Sequence, residues 1–385
     1  MPPTPNVHIL GLGNLGRLFA HALATSPHPP SITLLFHRPS LLEDWESAGR
    51  QIQITSKDLT TTSSSSNYSV EVIKPNPNPS STSSDPPSTP SPESEPIQNL
   101  LITTKAQHTL SALTPLLPRL TQTSTLLFAQ NGLGTIDEVT SALFSNPATR
   151  PRYLAAITSH GVYSTGPFQS VHAGLADVKV GPVDAQSTSL STSRVQEADQ
   201  TAPFLNALTS SPLLNCTSVP ARTLKSLQLE KLTINAILNP LTAILGIKNG
   251  EILQHAPVRK VTRLIVEECS RILISLPELQ VSSLGSDSTE GQEMTLTERF
   301  SPTRLLTLVQ TVAQKTAANT SSMLQDVQGG RETEIEYING YFVRRAREVG
   351  VECVVNERMV EMVRGGIRIG IGELEGWFEG LEGER

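Results

Sequence analysis

Three groups of residues in this 385-residue chain have the types and spacing to do chemistry. The first is Gly11-Leu12-Gly13-Asn14-Leu15-Gly16, a GxGxxG loop. It directly follows the apolar run VHIL and opens a helical pattern at Leu15, Leu18, Phe19, Ala22 and Leu23. In such a loop the first glycine makes the tight turn and the second lets the backbone approach a pyrophosphate. The third lets the helix pack on its strand. The amides that follow point at phosphate from the helix N-terminus. A plain strand–turn–helix is the other reading. The end of the second apolar run, Phe36-His37-Arg38, lacks the acid that would bind a ribose 2′-hydroxyl. Arg38 can pair with a 2′-phosphate instead, which favours NADP over NAD; an ordinary surface arginine is the alternative.

The second group is Lys231, Asn235 and Asn239 in QLEKLTINAILNPLTAILGIKNGEI. Their spacing puts them in one row on a helix, each step rising about 6 Å. Leu232, Ile234, Ile237 and Leu238 between them are core-like. A lysine and two amides on an otherwise apolar helix are solvated by a cleft or paired with something. An exposed polar stripe is the alternative. In a cleft, a lysine tuned toward pKa ~7–8 serves as a general acid, supplying roughly 10²–10⁴-fold. Ketone reduction needs such an acid, because the carbonyl oxygen gains charge as hydride arrives. A nearby amide can hold that oxygen or a substrate hydroxyl.

The third group is Ser322 and Glu334 in SSMLQDVQGGRETEIEYING. Gly329-Gly330 breaks any helix between them, so they share a cleft only if the chain turns back. By spacing alone, a capping serine and a surface glutamate is the plainer reading. Asp326 and Glu336 are read as structural.

Together these segments resemble the 2-dehydropantoate 2-reductase (ketopantoate reductase) family. The carriers are HILGLGNLG, TTKAQ at 103–107, QNGLGT at 130–135, SHGVYSTGPFQSVHAG, KLTINAILNPLTAILGIKNGEI and SSMLQDVQGGRETEIEYINGYFVRRA. The resemblance implies a Rossmann-type NADP-binding α/β domain followed by an all-helical domain like the C-terminal domain of 6-phosphogluconate dehydrogenase, with the active site between them. It implies NADPH-dependent reduction of 2-dehydropantoate to (R)-pantoate, a step toward pantothenate. Lys231 then resembles the proton donor, and Glu334 the acid that interacts with it. Asn235, Asn239 and Ser322 resemble substrate-binding residues, the serine for the carboxylate. Gly11, Gly13, Asn14, Leu15, Gly16, Arg38, Lys105 and Asn131 resemble cofactor contacts, Arg38 and Lys105 at the 2′-phosphate and Asn131 near the nicotinamide end. Two competing readings stand beside this one: the same machinery acting on a different 2-oxo or 3-oxo acid, or a non-enzymatic NADP(H)-binding regulator on the same fold. The regulator would lack Lys231 or Glu334, and both positions are filled.

The elements that must position these residues follow from periodicity. Short apolar runs at 7–11, 31–36, 70–73, 99–104 and 124–130 read as strands, with helical patterns after the first and near 107–118. This alternation indicates a parallel α/β sheet. Beyond residue 150, RYLAAIT, VYSTGPFQSVHAG and ADVKVGP read as strands, the middle one a hairpin about Gly166-Pro167. Polar stretches follow at 184–202 and 281–297. Helices are predicted at 222–246, 256–275, 301–325 and 332–349. The expected domains are therefore 1–218 for the nucleotide and 219–385 for catalysis and substrate. Between Pro75 and Pro96, 17 of 22 residues are Pro, Ser or Thr. That stretch cannot bury enough apolar surface to offset its ordering entropy and reads as a disordered loop.

Composition narrows the rest. A net charge of −6 argues against a nucleic-acid surface. Cys216, Cys269 and Cys353 are too scattered for a disulfide scaffold or a cysteine zinc site, and no metal is expected. No segment reaches the ~18 apolar residues of a membrane helix, and the N-terminus has no targeting pattern, so the cytoplasm is the default expectation. The partners expected are a small 2-oxo acid and, for assembly, a homodimer.

Overall fold

The computed structural model describes residues 5–73, 95–183, 193–280 and 294–381, with 193–200 described by backbone alone. The stretch read as disordered, 75–96, lies outside the described residues as far as position 94. The chain divides into two compact units. One is Met1–Gln130 with Thr135–Lys225, and the other is Asn131–Gly134 with Ser226–Arg385.

The strands of the first unit are β1 Asn6–Leu10, β2 Ser31–Phe36, β3 Ile52–Ser56, β4 Thr62–Ser65, β5 Ser69–Val72, β6 Asn99–Ile102, β7 Thr125–Phe128, β8 Arg152–Thr158, β9 Gly161–Gly166, β10 Gln169–Gly174, β11 Val178–Pro182 and β12 Cys216–Ser218. Among the described residues eight of them form one sheet in the order β12-β11-β8-β7-β6-β1-β2-β5. The pairs from β5 through to β8 are parallel; β11 runs antiparallel to β8. The central strands are continuous apolar runs because both of their faces are covered. Ile9, Leu34, Leu101 and Leu127 face a layer holding Phe19, Leu23 and Phe204. Leu10, Leu35, Ile102 and Leu126 alternate onto the other face, against Leu113, Leu116 and Val139. The chain leaves β1 toward β2 on one side and returns to β6 on the other. The carboxyl ends at this reversal are where an open α/β sheet binds its ligand.

A second sheet, β4-β3-β10-β9, includes the hairpin expected about Gly166-Pro167, and β10 also pairs in parallel with β3. Periodicity did not reveal β3, β4 or β12. The helix expected near 107–118 is a five-residue helix, Thr109–Leu113, between two 3-10 turns. Pro115 and Pro118 withhold the amides an α-helix needs there.

The second unit is helical. Its longest element, Ala221–Leu245, begins five residues before the unit boundary and buries Leu229, Leu232, Ala236, Ile237, Leu241 and Ile244. These pack in one cluster with Ile265, Cys269 and Ile272 of the helix Ala256–Ser275, and with Phe342 and Met359. The helix expected over 301–325 divides into Pro302–Lys315 and Ser322–Gln328. Ser321 caps the second piece by accepting from the Leu324 amide, which fixes a new start there. The pattern at 332–349 likewise resolves into a 3-10 turn, Ile335–Tyr337, and the helix Asn339–Val349. A helix also covers Ser193–Thr209, partly within the polar stretch. Among the described residues no helix is long and apolar enough to cross a membrane, and no cluster of His, Cys, Asp or Glu is arranged to hold a metal ion.

Candidate active site

In the first unit, the three glycines of the loop after β1 are required for different reasons. Gly11 has φ +98°, and a Cβ there would lie 2.5 Å from the Thr104 amide nitrogen. A Cβ on Gly16 would lie 1.9 Å from the Gly11 carbonyl oxygen. These two glycines serve the fold, letting the loop and its helix close onto β1 and β6. Gly13 is different. It is exposed, and a Cβ there would meet nothing within 4 Å. The open space lies at the N-cap of the helix Asn14–Ala24, whose first amides have no partner inside the helix. Such free amides can receive a phosphate.

Arg38 is exposed just beyond β2, and Lys105 is half-buried just beyond β6. Burial first, then the charges of Arg38 and His108, push the His37 imidazole below its ordinary pKa. Arg38 and His108 therefore both lie within electrostatic reach of His37. His108 was not singled out from the sequence. The signal was present: it follows β6, as Arg38 follows β2, and both strands flank β1.

In the second unit, the row on the long helix forms as its spacing requires. Lys231 and Asn235 are half-buried and Asn239 is buried. Lys231 Nζ donates to Asn131 Oδ1 at 3.2 Å. Burial pushes the Lys231 ammonium down from 10.5 to about 8, and the nearby Glu334 carboxylate pulls the other way. Glu334 is itself buried. Lys231, Glu334 and Asn131 are thus brought together, although Asn131 follows β7 in the chain. Gly132 (φ +80°) brings that short segment in close: a Cβ there would lie 2.6 Å from the Tyr337 carbonyl oxygen. The Leu133 amide donates to the same oxygen at 2.8 Å.

Ser322 stands exposed at the first position of its helix. Its neighbour Ser321 is buried and hydrogen-bonded to Thr242 at 2.6 Å. That bond ties the start of the Ser322 helix to the turn just after Asn239. Asp326 is buried and paired with Arg331, and Glu336 is paired with Arg364. Both acids are engaged in local ion pairs, in keeping with their structural reading. Sequence reasoning passed over Ser321 and also Asn339, whose amide reaches the backbone of the long helix at Ala236.

An ammonium with a pKa near 8 beside two amides can protonate a carbonyl oxygen and hold the hydroxyl that results. An exposed hydroxyl at a helix N-terminus can receive a carboxylate.

Comparison with known proteins shows the family of the chain. A family model described as "Ketopantoate reductase PanE/ApbA" matches residues 7–185, and one described as "Ketopantoate reductase PanE/ApbA C terminal" matches residues 223–366. A protein named "Ketoisovalerate reductase BEA2" from Gibberella fujikuroi is 34% identical over 89% of this chain and 79% of its own length. A "2-dehydropantoate 2-reductase" from Saccharomyces cerevisiae is 30% identical over 94% of both chains. Among solved structures, D-mandelate dehydrogenase with NADH and anilino(oxo)acetate aligns with a TM-score of 0.67 at 16% identity. That alignment covers 96% of this chain and 99% of the other, and shows a shared fold.

Proposed function

The chain belongs to the ketopantoate reductase family, oxidoreductases acting on CH–OH groups, and from that premise we propose that it reduces 2-dehydropantoate to (R)-pantoate with NADPH. The observation that carries the reading is Lys231: a half-buried ammonium with its pKa near 8, opposed by Glu334 and hydrogen-bonded to Asn131.

When bound, the reduced nicotinamide supplies hydride to the carbonyl carbon. The residues of the chain do the rest. Lys231 hydrogen-bonds the keto oxygen and gives it the Nζ proton as the C=O π pair moves onto that oxygen. Glu334 favours the charged lysine, so the acid is loaded at neutral pH. Asn235 and Asn239 hold the reacting oxygen and the substrate's own hydroxyl, and Ser322 receives its carboxylate. Gly13 and the amides of Asn14, Leu15 and Gly16 receive the pyrophosphate. Arg38 and Lys105 read the 2′-phosphate, which supports NADP over NAD. A homodimer is part of the proposal, with sedimentation as its test.

The Gibberella relative favours a second reading, in which the substrate is a branched 2-oxo acid without the hydroxyl, such as ketoisovalerate. NADPH oxidation measured with both acids decides between them. A kcat/KM higher for 2-dehydropantoate supports the first reading, and the reverse order replaces it with the second. Near-normal turnover in Lys231→Ala would remove the proton-donor role under either.

A further inference from the structure

Every interior residue of an α-helix donates its amide to the carbonyl four positions earlier. The helix Ala221–Leu245 carries a proline at position 240. Pro240 has no N–H, so the carbonyl left without its partner is that of Ala236. The proline ring also crowds that oxygen. Ala236 is fully buried and lies between Asn235 and Asn239. A buried carbonyl without a donor costs the helix stability in its most functional stretch.

A side chain from elsewhere supplies the donor. Asn339 Nδ2 lies 2.9 Å from the Ala236 oxygen. The second hydrogen of the same amide goes to Asn356 Oδ1, also at 2.9 Å. Asn356 Nδ2 in turn donates to Glu268 Oε2 at 2.6 Å, and the buried Glu268 carboxylate also accepts the Val355 and Asn356 amides. Turning the Asn339 amide over would set its oxygen against two acceptors. The orientation is therefore fixed, and Asn339 Oδ1 is left buried without a hydrogen bond.

Asn339 is also one turn away from the surroundings of Lys231. Glu334 and Asn339 are joined by the 3-10 turn Ile335–Tyr337, closed by Tyr337 donating to Glu334 and Ile338 to Ile335. The Tyr337 carbonyl anchors the Asn131–Gly134 segment through Leu133. Both companions of Lys231, Glu334 and Asn131, thus hang on one short turn whose end is pinned by Asn339.

We propose that Asn339 is a positioning residue: by bonding the Ala236 carbonyl that Pro240 leaves open, it sets the register between the Glu334 turn and the helix of Lys231, Asn235 and Asn239. The proposal rests on the reading of Lys231 as the proton donor, and its test separates the two. Asn339→Ala removes the clamp. The double variant Asn339→Ala with Pro240→Ala removes the clamp but restores a backbone donor to Ala236, so the helix ladder is repaired.

The readout is the pH midpoint of Lys231 acetylation in the full-length chain, followed by mass spectrometry, which needs no turnover. Burial and Glu334 are what act on this lysine, and the wild-type midpoint should lie near 8. With Glu334 released, the midpoint should fall by about half a unit or more in both variants. The double variant should regain thermal stability over the single one while kcat/KM stays down on the order of tenfold or more. A double variant with the wild-type midpoint and kcat/KM would overturn the proposal, leaving Asn339 a repair to the ladder alone. A lowered midpoint in a protein that reduces no 2-oxo acid would sink the functional reading and leave the positioning role standing.

Discussion

Lys231 Nζ donates to Asn131 Oδ1 at 3.2 Å across 100 residues of chain. With Glu334 nearby, that contact holds a cation whose pKa burial has lowered to about 8. The general acid of the proposed reaction is therefore poised just above neutrality.

A pH profile follows. Reduction requires protonated Lys231, so kcat/KM should be flat near pH 7 and fall as pH rises through about 8. Glu334 raises the lysine pKa, so Glu334→Gln should move the alkaline limb to lower pH. An unmoved limb would separate Glu334 from the acid.

The same lysine costs stability. Its folded pKa of about 8 lies below the ordinary 10.5, so the unfolded chain binds more protons between those values. Stability should rise with pH across that window, and the cost is fully present below it. Lys231→Met should abolish reduction yet stabilise the protein at pH 7 by roughly 1–3 kcal/mol. Thermal denaturation and an assay on one sample check both.

The glycine loop separates fold from ligand. Gly16→Ala drives a Cβ into the Gly11 carbonyl and should cost about 3 kcal/mol or prevent folding. Gly13→Ala meets open space. It should leave the melting temperature nearly unchanged while weakening NADPH binding roughly tenfold or more. Calorimetric titration with NADPH measures this, and unchanged affinity would place the pyrophosphate elsewhere.

Cofactor choice has its own variant. Arg38→Ala should raise the Kd for NADPH by roughly 10–100-fold and hardly change that for NADH. Equal losses would show that Arg38 does not read the phosphate.

The amide row sets the substrate. A site built to bond a hydroxyl rejects an analogue lacking it, because its own polar group is then left unpaired. Asn239→Ala should lower kcat/KM for 2-dehydropantoate on the order of a hundredfold and for ketoisovalerate far less. Equal effects would assign Asn239 to the shared keto acid.

Much of this protein was legible in its residues because the signals are local. The GxGxxG loop, the apolar strands around it and the row at 231, 235 and 239 each depend on neighbours within a few positions. The same locality explains what was missed. β3 is polar on one side and β4 throughout; they pair with each other, and β3 takes its place by pairing with β10, more than 100 residues away. The helix expected at 301–325 had the right periodicity, but a capping serine and its bond to Thr242 restarted it at Ser322. By spacing alone Glu334 was more plainly a surface acid, and the fold buried it near Lys231.

By itself, then, the sequence determined which groups are present and which face of a helix they share, because helix and strand periods are properties of the backbone. Tertiary structure decided the electrostatics. The lysine's pKa is set by burial and by a carboxylate 103 positions along the chain, and its ammonium is held by an amide 100 positions back. The same holds for the carbonyl that Pro240 leaves open. The proline announces the vacancy in the sequence, but only packing brings Asn339 to fill it.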